Sequence, residues 1–248
     1  MSISIKYPRR KRELQKILLK LGLIDLSSVN WRLLDLALTH PSISATDNYQ
    51  QLEFVGDAVV RLASAELLLE TYPHLPVGEF AAIRSILVSD RFLAEIAEQY
   101  GFEMYLLSAS NVKADNNGKL SRLADAFEAV LGALYESTKD MSLVRPWLDP
   151  ILKEKAAQIH ADPARENYKD ALQEWNQKVH KLLPTYKVKQ NEVKDDENNR
   201  FIAEVWLNNK LLGKGKGATK KASQQEAAKD AFYRVVDNSD DSKTQTDK

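Results

Sequence analysis

The chain has 248 residues, equal numbers of acidic and basic side chains, and no cysteine. Its length suffices for one large core or two domains, and an apolar fraction of 44% is ordinary for a globular protein. The lack of cysteine excludes disulfides, thiolate metal sites and cysteine nucleophiles, and it favours a cytoplasmic protein. No apolar run approaches the roughly 20 residues that span a membrane, so we expect no membrane association.

Helical periodicity dominates from about residue 12 to residue 152. The first segment places its apolar residues on one helix face: Leu14, Ile17, Leu18 and Leu21. Three further apolar segments predict helices over 52–72, 81–100 and 120–135. Because no convincing strand interrupts them, we predict an all-α domain over residues 10–156.

A different pattern follows a linker that we expect at 157–162. Asp162 and Pro163 are typical of the cap and first position of a helix, which would run to Val179. Strand composition then recurs in three segments, 185–189, 201–207 and 210–213, before a last helix over about 220–235. The order α-β-β-β-α predicts a small α+β domain over 163–236, and the polar tail 237–248 is expected to be disordered.

Two pairs of carboxylates stand out in the helical part. Residues 52–60 read LEFVGDAVV and residues 123–131 read LADAFEAVL. Glu53 and Asp57 are spaced i,i+4, and Asp125 and Glu128 are spaced i,i+3, so each pair shares one helix face. Acids at such spacings usually mark a solvated face, but here almost every neighbour is apolar.

A cleft that brings both pairs together would offer four carboxylate side chains to a cation. Carboxylate oxygens are hard donors suited to Mg²⁺ or Mn²⁺, and a cation would compensate like charges held in apolar surroundings. Such a site suits phosphodiester hydrolysis, because the cation neutralises charge growing on the reacting phosphate. Solvated acids on a helical interaction protein remain the alternative.

The second part of the chain is basic near its last helix. Residues 210–221 contain five lysines and no acid. If Thr219 caps the last helix, Lys220 and Lys221 fall in its first turn, where cations oppose the helix dipole. A phosphate resolves that conflict, since it is attracted both to the free N–H groups and to the lysines. A solvated lysine loop is the alternative interpretation.

The two acidic blocks resemble the signature of the ribonuclease III family of double-stranded-RNA endonucleases, as does the segment ALTHPS at 37–42. The basic part resembles the double-stranded-RNA-binding domain that follows the nuclease domain in bacterial members. The similarity there lies in Leu172-Gln173-Glu174, Lys220-Lys221-Ala222 and Ala227-Ala228.

The resemblance implies a homodimer that binds duplex RNA, with one acidic site in each subunit. Glu53, Asp57, Asp125 and Glu128 would coordinate Mg²⁺, with Mn²⁺ as a substitute, and Asp57 and Glu128 would be the most sensitive catalytically. Cleavage would leave 5′-phosphate and 3′-hydroxyl ends.

In the RNA-binding domain, the resemblance implies that Gln173 and Glu174 meet ribose 2′-hydroxyls in a minor groove. Lys216, Lys220 and Lys221 would contact phosphates across the neighbouring major groove. The natural role would be ribosomal RNA maturation and messenger RNA turnover.

Three positions depart from the family pattern. Gln50 and Val77 stand where the family often has acids, and neither is among the four expected ligands, so we expect altered efficiency rather than lost activity. The loop 195–199 is acidic and lacks the usual Gly-Pro-x-His, which should weaken one minor-groove contact. A non-catalytic RNA-binding or ribosome-associated protein is the competing function, although such a protein should have lost at least one of the four acids.

Overall fold

The chain divides into two compact units, residues 1–161 and 162–248. The computed structural model describes residues 8–116, 118–162, 164, 167–191 and 199–243, with the side chains of 236–243 left out. No helix in the described part of the chain is long and apolar enough to cross a membrane.

The first unit is built from helices, as predicted. Its helices are α1 (Pro8–Lys20), α2 (Trp31–Ala37), α3 (Gln50–Thr71), α4 (Val77–Leu87), α5 (Asp90–Gln99), α6 (Ser110–Lys113), α7 (Lys119–Thr138) and α8 (Arg145–Ala161). A 3₁₀ turn, Phe102–Met104, follows α5, and an isolated bridge joins Thr39 to Leu107.

Helix α7 is the centre of this unit. Eleven of its residues are buried, and it packs against α2, α3 and α5. The α1 face predicted from its periodicity is also buried, with Leu14, Ile17 and Leu18 fully enclosed. Burial of a full stripe of leucine, isoleucine and phenylalanine side chains contributes on the order of 2 kcal/mol each, so this core dominates the stability of the unit.

The single helix predicted over 81–100 is wrong, because the structure has two. Helix α4 ends at Leu87 and α5 begins at Asp90. Ser89 lies between them in an extended conformation, and its hydroxyl accepts a hydrogen bond from the backbone N–H of Phe92 at 3.4 Å. A serine cap can begin a new helix inside a continuous apolar pattern, which hides the break from a periodicity argument.

The second unit has the predicted order α-β-β-β-α. Helix α9 (Tyr168–His180) precedes strands β1 (Thr185–Gln190), β2 (Phe201–Leu207) and β3 (Lys210–Gly217), and α10 (Lys220–Lys243) follows. The strands form one antiparallel sheet in the order β1-β2-β3. Asn208 and Asn209 both have positive φ, which suits the tight turn between β2 and β3.

Strand β3 runs four residues beyond the predicted Gly213. Its glycines allow the strand to lie directly against α10: a Cβ on Gly215 would overlap the backbone of Ala227. The glycine-rich segment 213–217 is therefore a strand packed closely on a helix.

The segments flanking the second unit also differ from expectation. The predicted linker 157–162 is helical up to Ala161, because Ala156 and Ile159 are buried and His160 contacts the ring of Tyr72. Helix α9 begins at Tyr168 rather than near Asp162, which instead accepts hydrogen bonds from the Ala164 N–H and the Tyr168 hydroxyl. Pro163 lies outside the described residues.

The last helix is longer than the sequence predicted. Helix α10 reaches Lys243, so its final turns overlap the tail 237–248 that we expected to be disordered. Each residue added to an existing helix gains a backbone hydrogen bond without a new nucleation cost, and this favours extension into a polar segment. Residues 244–248 lie outside the described part.

Candidate functional site

The four predicted acids come from two helices in unusually close contact. Gly56 of α3 faces the backbone of α7 so closely that a Cβ at this position would overlap the carbonyl oxygen of Glu128. Glu53 lies three residues before Gly56 and Asp57 one residue after it. On the other helix, Asp125 lies one turn before Glu128. Crossing of the helices at this point brings the two acid pairs together.

The pKa values of three of these acids are raised by burial first and by neighbouring carboxylates second. Burial, followed by the charges of Asp57, Glu53, Asp125 and Asp90, raises the pKa of Glu128 to about 8. Burial and the charges of Asp125 and Asp57 raise the pKa of Glu53. The pKa of Asp125 is raised mainly by burial and, to a smaller extent, by Asp90. Asp90, the exposed first residue of α5, is thus a fifth acid of this neighbourhood that the sequence did not indicate.

Asp57 is paired with an arginine on its own helix. The Nε atom of Arg61 donates to both carboxylate oxygens of Asp57, at 2.8 and 2.9 Å. The charge of Asp57 is therefore partly compensated within α3. The i,i+4 spacing of the two residues made this contact predictable, but Arg61 was not singled out.

Asp125 is held by a residue from outside its helix. The Tyr49 hydroxyl donates to Oδ2 of Asp125 at 3.2 Å, and Tyr49 is only 3% exposed. The Tyr49 ring packs edge-on against His40, with the ring centroids 5.6 Å apart, and Nδ1 of His40 is 2.9 Å from the Ser42 hydroxyl. Burial and nearby Arg122 lower the pKa of His40, in keeping with a structural role for this histidine.

The four carboxylates are chemically suited to a divalent cation, although their side chains are not arranged in the geometry of a metal site. In the described part of the chain, no group of three or more His, Cys, Asp or Glu side chains is placed to hold a metal ion. Burial, and after it the charges of neighbouring acids, nevertheless raise the pKa values of Glu53, Asp125 and Glu128, and a bound cation would offset both effects. Carboxylate oxygens are the ligands that hard cations prefer.

The surroundings of the first pair are less buried than its apolar neighbours suggested. Phe54 is 81% exposed, although Leu52, Val59 and Val60 are buried as expected. Leu62 and Leu69 are also exposed on α3. At 100° per residue, Phe54, Leu62 and Leu69 lie within about 80° of one another around the helix axis, so they form one apolar stripe.

In the second unit, the predicted phosphate-binding lysines open α10 as expected. The Thr219 hydroxyl accepts from the backbone N–H of Ala222 at 3.1 Å, and Thr219 therefore caps the helix. Lys220 and Lys221 are its first two residues, and both are exposed. Gln173 and Glu174 are exposed on α9.

Lys216 lies on a strand rather than on the helix that carries that pair. Lys216 lies in β3 between Gly215 and Gly217, both of which face α10. Because side chains alternate across a strand, Lys216 points to the opposite face of the sheet. The acidic loop 195–199 lies, except for Asn199, outside the described residues.

A further residue joins the two helices of this unit. The Lys169 backbone N–H donates to Oε1 of Gln225 at 3.1 Å, and its Nζ atom donates to Oε1 of Gln224 at 2.9 Å. Lys169 thereby fixes the start of α9 to α10, the two helices that carry Gln173, Glu174, Lys220 and Lys221. Nothing local to Lys169 signals this contact, because Gln224 and Gln225 lie 55 and 56 residues further along the chain.

Comparison with known proteins assigns both units. Residues 50–139 match the model of the Ribonuclease III domain, and residues 168–233 match the Double-stranded RNA binding motif. The chain is 56% identical to Ribonuclease 3 2 of Nostoc sp. over 94% of its own length and 97% of the relative. It is 52% identical to Ribonuclease 3 2 of Synechocystis sp., over 92% of its length and 94% of the relative.

A third relative, Ribonuclease 3 of Gloeobacter violaceus, is 43% identical over 94% of this chain and 95% of that protein. These relatives are matched almost end to end, through both units. The chain therefore belongs to the ribonuclease III family of double-stranded-RNA endoribonucleases.

Proposed function

We propose that the chain hydrolyses double-stranded RNA with Mg²⁺ held by Glu53, Asp57, Asp125 and Glu128, leaving 5′-phosphate and 3′-hydroxyl ends. The observation that carries this proposal is the close contact of α3 and α7 at Gly56 and Glu128, which leaves Glu128 partly buried beside the other acids. Burial first, and then the charges of Asp57, Glu53 and Asp125, raise the pKa of Glu128 to about 8. When bound, the cation would neutralise charge developing on the reacting phosphate.

The chain's own residues prepare this site in two ways. Tyr49 orients the Asp125 carboxylate by its hydrogen bond, so that this acid presents a fixed oxygen to its neighbours. Arg61 holds Asp57 until the cation competes for the same oxygens. Asp57 and Glu128, on opposite helices of the crossing, are the acids whose loss should matter most.

The second unit would deliver the duplex. Gln173 and Glu174 on α9 would contact ribose hydroxyls, and Lys220 and Lys221 would bind phosphates at the start of α10. Lys216, on the other face of the sheet, is retained from the family resemblance only as a weaker candidate for phosphate contact. Maturation of ribosomal RNA and turnover of messenger RNA, in the cytoplasm, are the biological roles that we propose.

A homodimer is part of this proposal. Phe54, Leu62 and Leu69 form an exposed apolar stripe on α3, next to the acidic residues, and a second copy of the chain would cover it. Replacing Phe54 with serine should shift sedimentation from dimer to monomer, whereas Met104→Ser, at an equally exposed apolar residue outside the stripe, should not.

Cleavage of a regular RNA duplex tests the catalytic assignment. We expect products with Mg²⁺ and none after chelation, and at least a hundredfold slower cleavage by Asp57→Asn and Glu128→Gln. Glu154→Gln, on the exposed surface of α8, is the matched control and should cleave normally. Undiminished cleavage by both site variants would contradict the proposed ligands. Retained binding without cleavage under every condition would favour a non-catalytic RNA-binding protein.

A further inference from the structure

The sheet of the second unit has one face that its helices do not cover. Ala203 and Val205 of β2 are fully buried on the inner face, and Gly215 of β3 lies against α10. Side chains alternate along each strand, so the residues between these point outward. Cross-strand register places Lys187 beside Glu204 and Glu204 beside Lys214 on this outer face.

The outer face is strongly basic. Among the strand residues that the structure describes, four exposed lysines lie on it, Lys187 and Lys189 on β1 and Lys214 and Lys216 on β3, against one acid, Glu204 on β2. The side chain of Lys214 pairs with Glu204 at 2.8 Å, and this contact lowers the pKa of Glu204. Four lysines against one glutamate leave a net charge of +3 for a polyanion to neutralise.

An indole ring lies among these lysines. Trp206, the last outward residue of β2, is partly exposed, and Nζ of Lys187 lies 4.7 Å from the centroid of its ring. The indole Nε1 donates to Oε2 of Glu204 at 3.2 Å, so Glu204 joins Trp206 to Lys214. The ring therefore has a fixed edge, while a single flexible lysine covers its face.

We propose that this face is a second RNA site, which binds unpaired RNA. One base would stack on Trp206, and the phosphates of the RNA backbone would pair with the surrounding lysines. Base stacking on an aromatic side chain within a basic surface is the usual way in which proteins bind single strands. A base in a duplex hides both faces of its ring, so this site would take unpaired nucleotides. An acidic peptide would satisfy the lysines but has no flat group for the indole.

Lys187 would exchange partners on binding. In the free protein its ammonium rests over the Trp206 ring, a weak interaction at an exposed site. An incoming base takes that position, and the freed ammonium moves to the adjoining phosphate. The site goes beyond the proposed cleavage function and does not depend on it, because Gln173, Glu174, Lys220 and Lys221, the main residues proposed for duplex binding, lie on α9 and at the start of α10. Only Lys216, the weaker candidate for duplex contact, lies on this face, and the test below leaves it unchanged.

Fluorescence anisotropy with a labelled, unstructured RNA of about 12 nucleotides tests this site in the full chain without divalent cations. We expect binding that Trp206→Leu weakens about tenfold. Lys187→Gln with Lys189→Gln should lower the slope of log affinity against log salt by about 1.4, or about 0.7 for each lost phosphate contact. All these variants should keep duplex affinity within about twofold, because their side chains lie on the far face of the sheet.

Lys220→Gln with Lys221→Gln is the matched control, since it removes two exposed lysines from the proposed duplex-binding surface. It should weaken duplex binding and leave binding of the unpaired RNA unchanged. If the affinity for the unpaired RNA does not change in the Lys187 and Lys189 variant, the proposal is wrong. Because both positions are exposed, this variant tests the proposal even if Trp206→Leu unfolds the domain. Equal, Trp206-dependent binding of a hexaglutamate peptide would also overturn it, in favour of an acidic protein partner.

Discussion

Gly56 and Glu128 are the point at which the two acidic helices meet: the α-hydrogen of the glycine faces the backbone carbonyl of the glutamate with no room for a methyl group. The consequence reaches the chemistry, because the acids on either side of Gly56 are brought to Asp125 and Glu128 only while α3 and α7 stay this close.

Gly56→Ala should force the helices apart and destabilise the first unit by about 1–3 kcal/mol, the usual cost of overpacking a core. Hydrogen exchange of the α7 amides would report that loss for this unit alone. The matched change Gly78→Ala, in α4 where a Cβ meets no atom within 4 Å, should have little effect or stabilise the helix slightly. Equal protection of α7 in both variants would disprove the close contact.

Glu128 makes the stability of the metal-free protein depend on pH. Its folded pKa of about 8 is above its ordinary value of 4.5, so the folded state keeps a proton that the unfolded chain releases. The resulting stability is complete below about pH 4.5 and is lost as the pH rises through about 8. In chelator, Glu128→Gln should match the native melting temperature at pH 4.5 and exceed it at pH 8.5. Calorimetry would show this, and Glu154→Gln should follow the native protein throughout.

Arg61 should raise the Mg²⁺ concentration that the enzyme needs. Its pair with Asp57 is about half exposed and of the i,i+4 kind, so it contributes only about 0.3–0.5 kcal/mol. Arg61→Gln should therefore halve, roughly, the Mg²⁺ concentration for half-maximal cleavage. Arg91→Gln breaks an ion pair of the same spacing, with Glu95 in α5, and should leave that concentration unchanged. An increase with Arg61→Gln would instead show that the guanidinium assists RNA binding.

Tyr49 should act on metal affinity through Asp125. Tyr49→Phe keeps the ring against His40 but removes the hydrogen bond to Asp125, and loss of such an orienting contact weakens metal binding roughly tenfold or more. Titration of Mg²⁺ by calorimetry measures this directly, without RNA. Tyr100→Phe, at the end of α5, serves as the control. Unaltered affinity in Tyr49→Phe would mean that Asp125 is positioned by other contacts.

Arg10 should be among the most important polar residues for stability. Its side chain is 11% exposed, and its guanidinium donates to Oδ1 of Asp35 at 2.7 Å and to the Tyr105 carbonyl at 2.8 Å. Arg10→Gln should cost about 2–3 kcal/mol, because it leaves a carboxylate and a carbonyl without their donor. The free energy of unfolding, measured for each variant, checks this prediction. Arg9→Gln, at a side chain that is 94% exposed, should lower it by less than about 0.5 kcal/mol.

The features that could be predicted from sequence are those encoded within a few residues. Strand β2 was predicted to the residue because its pattern alternates, and the acid pairs were found because their spacing lies within one helical turn. The break at Ser89 was missed because a cap competes with an apolar period that continues through it. Tyr49 was missed because its partner is 76 residues away, and nothing local to either residue signals a contact that only the packed core creates.

The alternation along β3 also limits how this protein can vary. Gly213 and Gly215 face the alanines of α10, whereas Lys214 and Lys216 face outward, and this phase is set by the turn at Asn208 and Asn209 together with the register shift opposite Val205 and Trp206. Insertion or deletion of one residue in that turn, with the register shift unchanged, would drive lysines into a space that admits not even a methyl group. Natural variation of the hairpin should therefore be confined to substitutions, with its length unchanged.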